Sequence, residues 1–228
     1  MDKIKQLGII SVLFLCCCCQ AQAQRYFSDP EYNLFTGGLV GGINFCQIDG
    51  DSYKGYDKSG ITAGGILFMP FGTDMGLPIP GTLALSMEIL FNQKGSYGGM
   101  NPGYGIFSQK INLYYGDVPV MINWYRGTRK SIIGAGFSVG FLGFREEYLD
   151  RGHGPELVKK NDFNYVDLSF VLSPTIHIWK GFHINPRFQY SLIPIRSNDG
   201  GIGNKNQFNN VVSVRLMYLF SRAGGSKR

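Results

Sequence analysis

Residues 166–192 read VDLSFVLSPTIHIWKGFHINPRFQYSL, and this stretch decides the fold. Over 166–178, Val166, Leu168, Phe170, Leu172, Pro174, Ile176 and Ile178 form one face. Asp167, Ser169, Val171, Ser173, Thr175 and His177 form the other. Over 182–192, Phe182, Ile184, Pro186, Phe188, Tyr190 and Leu192 alternate with His183, Asn185, Arg187, Gln189 and Ser191. Period-2 alternation marks a β-strand with two unlike faces. A three-residue turn at 180–182 is expected to pair Trp179 with His183, Ile178 with Ile184 and Thr175 with Arg187. Gly181 would supply the positive φ.

The pattern recurs on both sides. Residues 211–220 set Val212, Val214, Leu216, Tyr218 and Phe220 against Val211, Ser213, Arg215, Met217 and Leu219. Leu83, Leu85, Met87, Ile89 and Phe91 oppose Ala84, Ser86, Glu88, Leu90 and Asn92. Residues 131–144 set Ile133, Ala135, Phe137, Val139 and Phe141 against Gly134, Gly136, Ser138 and Gly140, glycines that allow close packing or bending. Residues 110–125 contain Pro119, for which a bulge at 116–119 is expected because proline gives no ladder hydrogen bond. Residues 37–48 and 60–69 are apolar and glycine-rich on both sides, so their faces are not assigned. The total is eight strands.

The polar faces are narrow, small or singly charged, as a filled interior requires. A soluble sandwich would instead carry Lys, Glu and Thr on its outside. The thirteen residues of 166–178 exceed the ~9–11 that a bilayer-crossing strand needs. The fold expected is all-β, an eight-stranded antiparallel up-and-down transmembrane β-barrel over residues 24–220. Long connections at 49–59, 94–109, 145–165 and 195–209 alternate with shorter ones at 127–130 and 180–182; 70–81 is a longer turn than usual. Trp124, Tyr125, Trp179 and Phe220 mark one interface; Tyr97, Tyr104, Tyr148 and Tyr165 mark the other.

The chain opens with MDKIKQLGIISVLFLCCCCQAQAQ. Lys3 and Lys5, a short apolar run and Ala21-Gln22-Ala23 read as a signal peptide cleaved after residue 23. The cysteines of the run follow Leu15 or another cysteine, so a lipoprotein signal fits less well. Of the five cysteines only Cys46 remains after cleavage, which rules out an internal disulfide. Residues 221–228 form a basic tail. Net charge is +6 without a clustered patch, so nucleic acid is not an expected partner; outer-membrane lipid is. Charged residues make up 17%, below the ~25% of soluble domains.

Several stretches resemble PorT-like outer-membrane barrels of Bacteroidetes-type bacteria. Residues 85–95, LSMEILFNQKG, resemble the family's PELLYSQKG strand, and residues 115–120, YGDVPV, its YLEIPL strand with Asp117 for Glu. The glycine-rich 37–45 and 60–64 and the RFQYS at 187–191 also fit. The resemblance implies an outer-membrane location and an eight-stranded barrel. Some members are tied to protein secretion, while most have no assigned activity.

Glu88, Asp117, Arg187 and Arg215 are expected to join in one lumen network, because buried charge is costly unless paired. His177 and His183 could begin a metal site, but no third ligand is evident, so no metal and no cofactor are expected. Asp49-Gly50-Asp51 lacks the rest of a calcium loop and reads as a turn. Catalysis is not expected. His153 with Glu146, Glu147 or Asp150 is the one combination open to a rim-active lipid enzyme. The leading expectation is a structural or interaction barrel working through its loops, with a possible link to secretion or surface processes. His153, Glu156 and Lys159 are the candidate contacts. The alternatives are a soluble periplasmic lipocalin-like carrier of small ligands and a narrow gated porin.

Overall fold

The computed structural model describes residues 35–70, 82–100, 105–126, 131–158, 163–197 and 206–220. The leader, the tail, the turns at 71–81 and 127–130, and Lys159 lie outside the described residues. The strands are β1 (Thr36–Asp49), β2 (Lys58–Pro70), β3 (Thr82–Gly98), β4 (Ser108–Arg126), β5 (Ser131–Asp150), β6 (Pro155–Leu157), β7 (Val166–Trp179), β8 (Phe182–Ser191) and β9 (Phe208–Leu219). Every pairing is antiparallel. The ladder runs from β1 through β5 to β7, β8 and β9. It closes where Gly38 to Asp49 of β1 pair with Leu219 to Phe208 of β9. The result is a closed eight-stranded up-and-down barrel. The three-residue β6 pairs with β5 alone, outside the ring.

Closure fixes every face. Side chains at 167, 169, 171, 173 and 175 of β7 are buried, while Leu172, Ile176 and Ile178 are exposed. The first two strands obey the same parity: Val40, Asn44, Cys46 and Ile48 point in, as do Lys58, Thr62, Ile66 and Phe68. Leu39, Ile43, Phe45, Ile61 and Leu67 point out.

Three local expectations are corrected. The irregularity of the 110–125 strand is not a bulge at 116–119. The β4–β5 register shifts at Tyr114/Tyr115, where the pairing passes over Gly143 of β5. At Pro119 the β3–β4 register is unbroken, but the ladder skips two rungs between Met87↔Val120 and Leu90↔Asp117. That gap fits the missing N–H. The β7–β8 turn has two residues, Lys180 and Gly181: Trp179 pairs with Phe182, and His177, not Trp179, pairs with His183. The extra residue, Ile178, is absorbed as a bulge, and Lys180, not Gly181, takes positive φ (51°). Finally, β3, β4 and β5 run on to Gly98, from Ser108 and to Asp150, so much of the expected 94–109 and 145–165 loops is strand.

Two lumen glycines of β5 make room for polar side chains. A Cβ at Gly140 would lie 2.4 Å from Asp117 Oδ1, and one at Gly134 2.3 Å from Asn123 Oδ1.

Candidate functional site

The interior is a stack of layers. Near the middle, Glu88 of β3 faces Arg187 of β8 and Arg215 of β9 across the lumen. Its carboxylate lies 2.5 Å from Arg187 Nη2 and 2.9 Å from Arg215 Nη1. Arg215 Nε donates to Asn185 Oδ1 at 2.9 Å, and Arg187 Nε reaches Ser173 Oγ at 3.5 Å. Asn185 in turn donates to Ser173 Oγ at 2.8 Å and to Thr175.

Asp117 does not join this group. It belongs to a second cluster, in which Lys94 Nζ lies 3.0 Å from Asp117 Oδ2 and 3.0 Å from Asp167 Oδ2. Asn92 and Gln189 donate to Asp117 at 2.7 and 3.1 Å. Ser191 and Ser169 donate to Asp167 Oδ1 at 2.7 and 3.1 Å, and Asn209 donates to its Oδ2 at 3.0 Å. The Lys94 ammonium also lies 4.6 Å from the centre of the Tyr115 ring. The expected single network is therefore two. In the sequence pattern Lys94 falls at the start of a loop, which hides its role. Asp167 falls on a polar face, but nothing in its spacing points to a partner on β3.

The six charged groups of the two clusters balance, three acids against three cations, and all are nearly or fully buried. Such groups stay charged in a low-dielectric interior only when paired and hydrogen-bonded. Apolar clusters flank them. Val40, Ile66, Phe68, Leu90 and Met217 pack together on one wall. Ile48, Ile111, Leu113, Tyr115 and Leu142 pack with Phe163 and Ile195, which enter from the loops.

At the loop rim, Glu147 pairs with Arg196 at 2.5 Å and accepts from Gln109 Nε2 at 2.6 Å. The Arg196 guanidinium stacks 3.8 Å from the centre of Phe163. Asp150 accepts the Gly152 and Gly154 N–H groups at 2.7 and 3.2 Å, which shapes the hairpin tip. Glu146 accepts from Asn112 at 3.4 Å. The three acids set beside His153 by sequence thus have other partners. His153 and Glu156 are exposed on the tip, away from any lumen cluster.

Asp49-Gly50-Asp51 is a turn, with Gly50 at φ 100°. Asp51 is buried there. Its Oδ1 accepts the Tyr53 N–H at 2.9 Å, and the Ser96 hydroxyl is a further hydrogen-bonding neighbour of the carboxyl group. Burial pushes this carboxyl above its ordinary range. Among the described residues no group of three His, Cys, Asp or Glu side chains is placed to hold a metal.

The chain has distant matches among solved structures. Ail, the attachment invasion locus protein of Yersinia pestis, solved with the heparin analogue sucrose octasulfate, shares 13% identity. The match covers 82% of this chain and 99% of Ail, with a TM-score of 0.47. A triple mutant of the Rh. blastica porin shares 10% identity over 82% of this chain and 99% of the porin, with a TM-score of 0.22. No family model and no curated protein matches. The barrel assignment rests on this chain's own closed ladder.

Proposed function

We propose that this chain is a non-enzymatic barrel of the bacterial outer membrane that works through its loop end. One observation carries the reading: the barrel is apolar outside and charged inside. More than twenty large apolar side chains stand exposed on the outer face, among them Ile89 (68%) and Phe144 (77%). From Leu83 to Phe91, from Ile133 to Phe144 and from Val212 to Phe220, no outward side chain is charged. Among the described side chains of the ring strands, the outward charges Asp49, Lys110, Glu146 and Asp150 lie at the loop end. Soluble monomers rarely expose apolar patches beyond a few hundred Å². Completing the burial of each half-exposed side chain contributes roughly 1 kcal/mol, so a bilayer gains on the order of 20 kcal/mol over water. A carrier of apolar ligands needs the opposite arrangement, an apolar interior.

The ion clusters seal the lumen. Lys94, Asp117 and Asp167 have no solvent-accessible surface, which disfavours a standing aqueous pore. Their role is to brace opposite walls. The working surface is then the loop end, where β3, β4 and β5 rise past the apolar band. Phe107 (56%), Leu157 (56%) and Tyr165 (70%) stand exposed there beside His153 and Glu156. Such a surface suits a protein or surface-ligand partner. The resemblance to PorT-like barrels favours a role in secretion or surface processes.

The test is fractionation and gel mobility. The reading expects the protein in washed outer membranes, with a mobility change on boiling. A soluble periplasmic protein of fixed mobility would overturn it. Deleting residues 152–159 should keep the mobility change and remove partner capture.

A further inference from the structure

The turn end of the lumen carries an arrangement that neither ion cluster uses. His177, His183 and Met217 share one row across three neighbouring strands: His177 pairs with His183, and His183 with Met217. All three lie on the inward parity. His183 and Met217 are buried and His177 is half-buried. Adjacent strands lie about 4.8 Å apart, so the register sets the Met217 side chain, which also packs against the apolar cluster around Val40, beside the two imidazoles. The imidazole centroids are 5.0 Å apart, with their planes at 70°. Two rings bound to one ion through nitrogens at about 2.0–2.1 Å would have centroids roughly 5 Å apart.

Each ring already has one nitrogen committed. His177 Nε2 lies 2.7 Å from the Lys180 carbonyl oxygen, and His183 Nδ1 lies 3.0 Å from that of Gly181. A carbonyl only accepts, so in each neutral ring that nitrogen carries the proton. His177 Nδ1 and His183 Nε2 are left with lone pairs. Carbonyl contacts of this kind set the tautomer of metal-binding histidines. The local distortions serve the same geometry. The turn that supplies both carbonyls also holds the extra Ile178 and the positive φ of Lys180. Bulges at barrel rims commonly re-aim side chains.

We propose that His177, His183 and Met217 bind a single copper ion at the turn end of the barrel. Two imidazoles and a thioether form a soft, neutral donor set suited to Cu(I). The adjacent row holds Thr175, Asn185 and Arg215, joined by Asn185, and offers no free carboxylate to balance a divalent charge. Half-exposed His177 gives the ion a way in.

The experiment uses the chain from Gln24 onward, as it stands after leader cleavage, in a Cys46→Ser background without an affinity tag and folded in detergent, so that no thiol competes for Cu(I). Anaerobic competition against a chromophoric Cu(I) chelator reads uptake, and the mobility change on boiling certifies that each variant is folded. One equivalent of Cu(I) is expected. His183→Ala should abolish uptake, while His177→Gln and Met217→Leu should each weaken it at least tenfold. Met87→Leu, on the outer face, should leave it unchanged. No uptake by the folded parent chain would overturn the site. Unchanged affinity in Met217→Leu, or Zn²⁺ held as tightly as Cu(I), would overturn the three-ligand copper assignment.

Discussion

The two lumen clusters divide charge in opposite ways. Around Glu88, one carboxylate serves two guanidiniums; around Lys94, one ammonium serves two carboxylates. The surplus charge is handled differently in each. A guanidinium cannot shed its proton, so the Glu88 cluster spreads it over the fixed fork of Arg215 and the oxygen of Asn185. A carboxylate accepts several hydrogen bonds, so the Lys94 cluster surrounds Asp117 and Asp167 with Asn92, Gln189, Ser169, Ser191 and Asn209. Asp51, in a loop, extends the comparison to a buried carboxylate with no ion pair among the described residues.

This difference ranks the consequences of substitution. Glu88→Ala should be the most damaging, about 5 kcal/mol, because two arginines are left facing each other with no route to neutrality. Unfolding by urea in detergent would measure it, and the loss should be the same at acid and neutral pH. Lys94→Met should cost less, about 3 kcal/mol at neutral pH. There a carboxyl can take up a proton, so the gap to the parent chain should narrow as the pH falls. Equal pH responses in the two variants would break the comparison. Asn185→Ala removes the oxygen that accepts from two Arg215 N–H groups, along with the bonds to Ser173 and Thr175, and should cost about 2 kcal/mol. Replacing Glu88 by Gln in the same chain should make the two effects non-additive.

Asp51→Asn should have the smallest effect. The neutral form of Asp51 is favoured in the fold. Its contribution to stability is therefore present below the ordinary carboxylate range and is lost as the pH rises through the raised value. The protection factor of the Tyr53 amide, the exchange rate corrected for its intrinsic pH dependence, should fall between acid and neutral pH in the parent chain and stay level in the variant.

The sequence made the faces of β3, β5, β7, β8 and β9 legible, because the outward face there is apolar for several rungs in a row while the inward face is mostly small or polar. β1 and β2 resisted. Val40, Ile48, Ile66 and Phe68 are apolar yet point inward, where they fill the two apolar clusters. Hydropathy does not separate a lipid-facing Leu39 from a lumen-facing Val40. The upper parts of β3, β4 and β5 read as loop because strand above the apolar band carries polar residues on both sides. Lys94 lay in that part, and with it the partner of Asp117. The β7–β8 register lies two residues from the expected one, a shift that preserves parity and leaves no trace in the pattern.

The central claim is that the apolar face meets lipid. Spin labels at Leu39, Met87, Phe137, Leu172 and Leu216, one at a time in a Cys46→Ser chain that starts at Gln24 and is folded into lipid vesicles, test it most directly. The account predicts that all five labels are relaxed strongly by oxygen, which partitions into lipid, and weakly by a water-soluble nickel chelate. Strong relaxation by the chelate around the whole ring would contradict it and place this face in water.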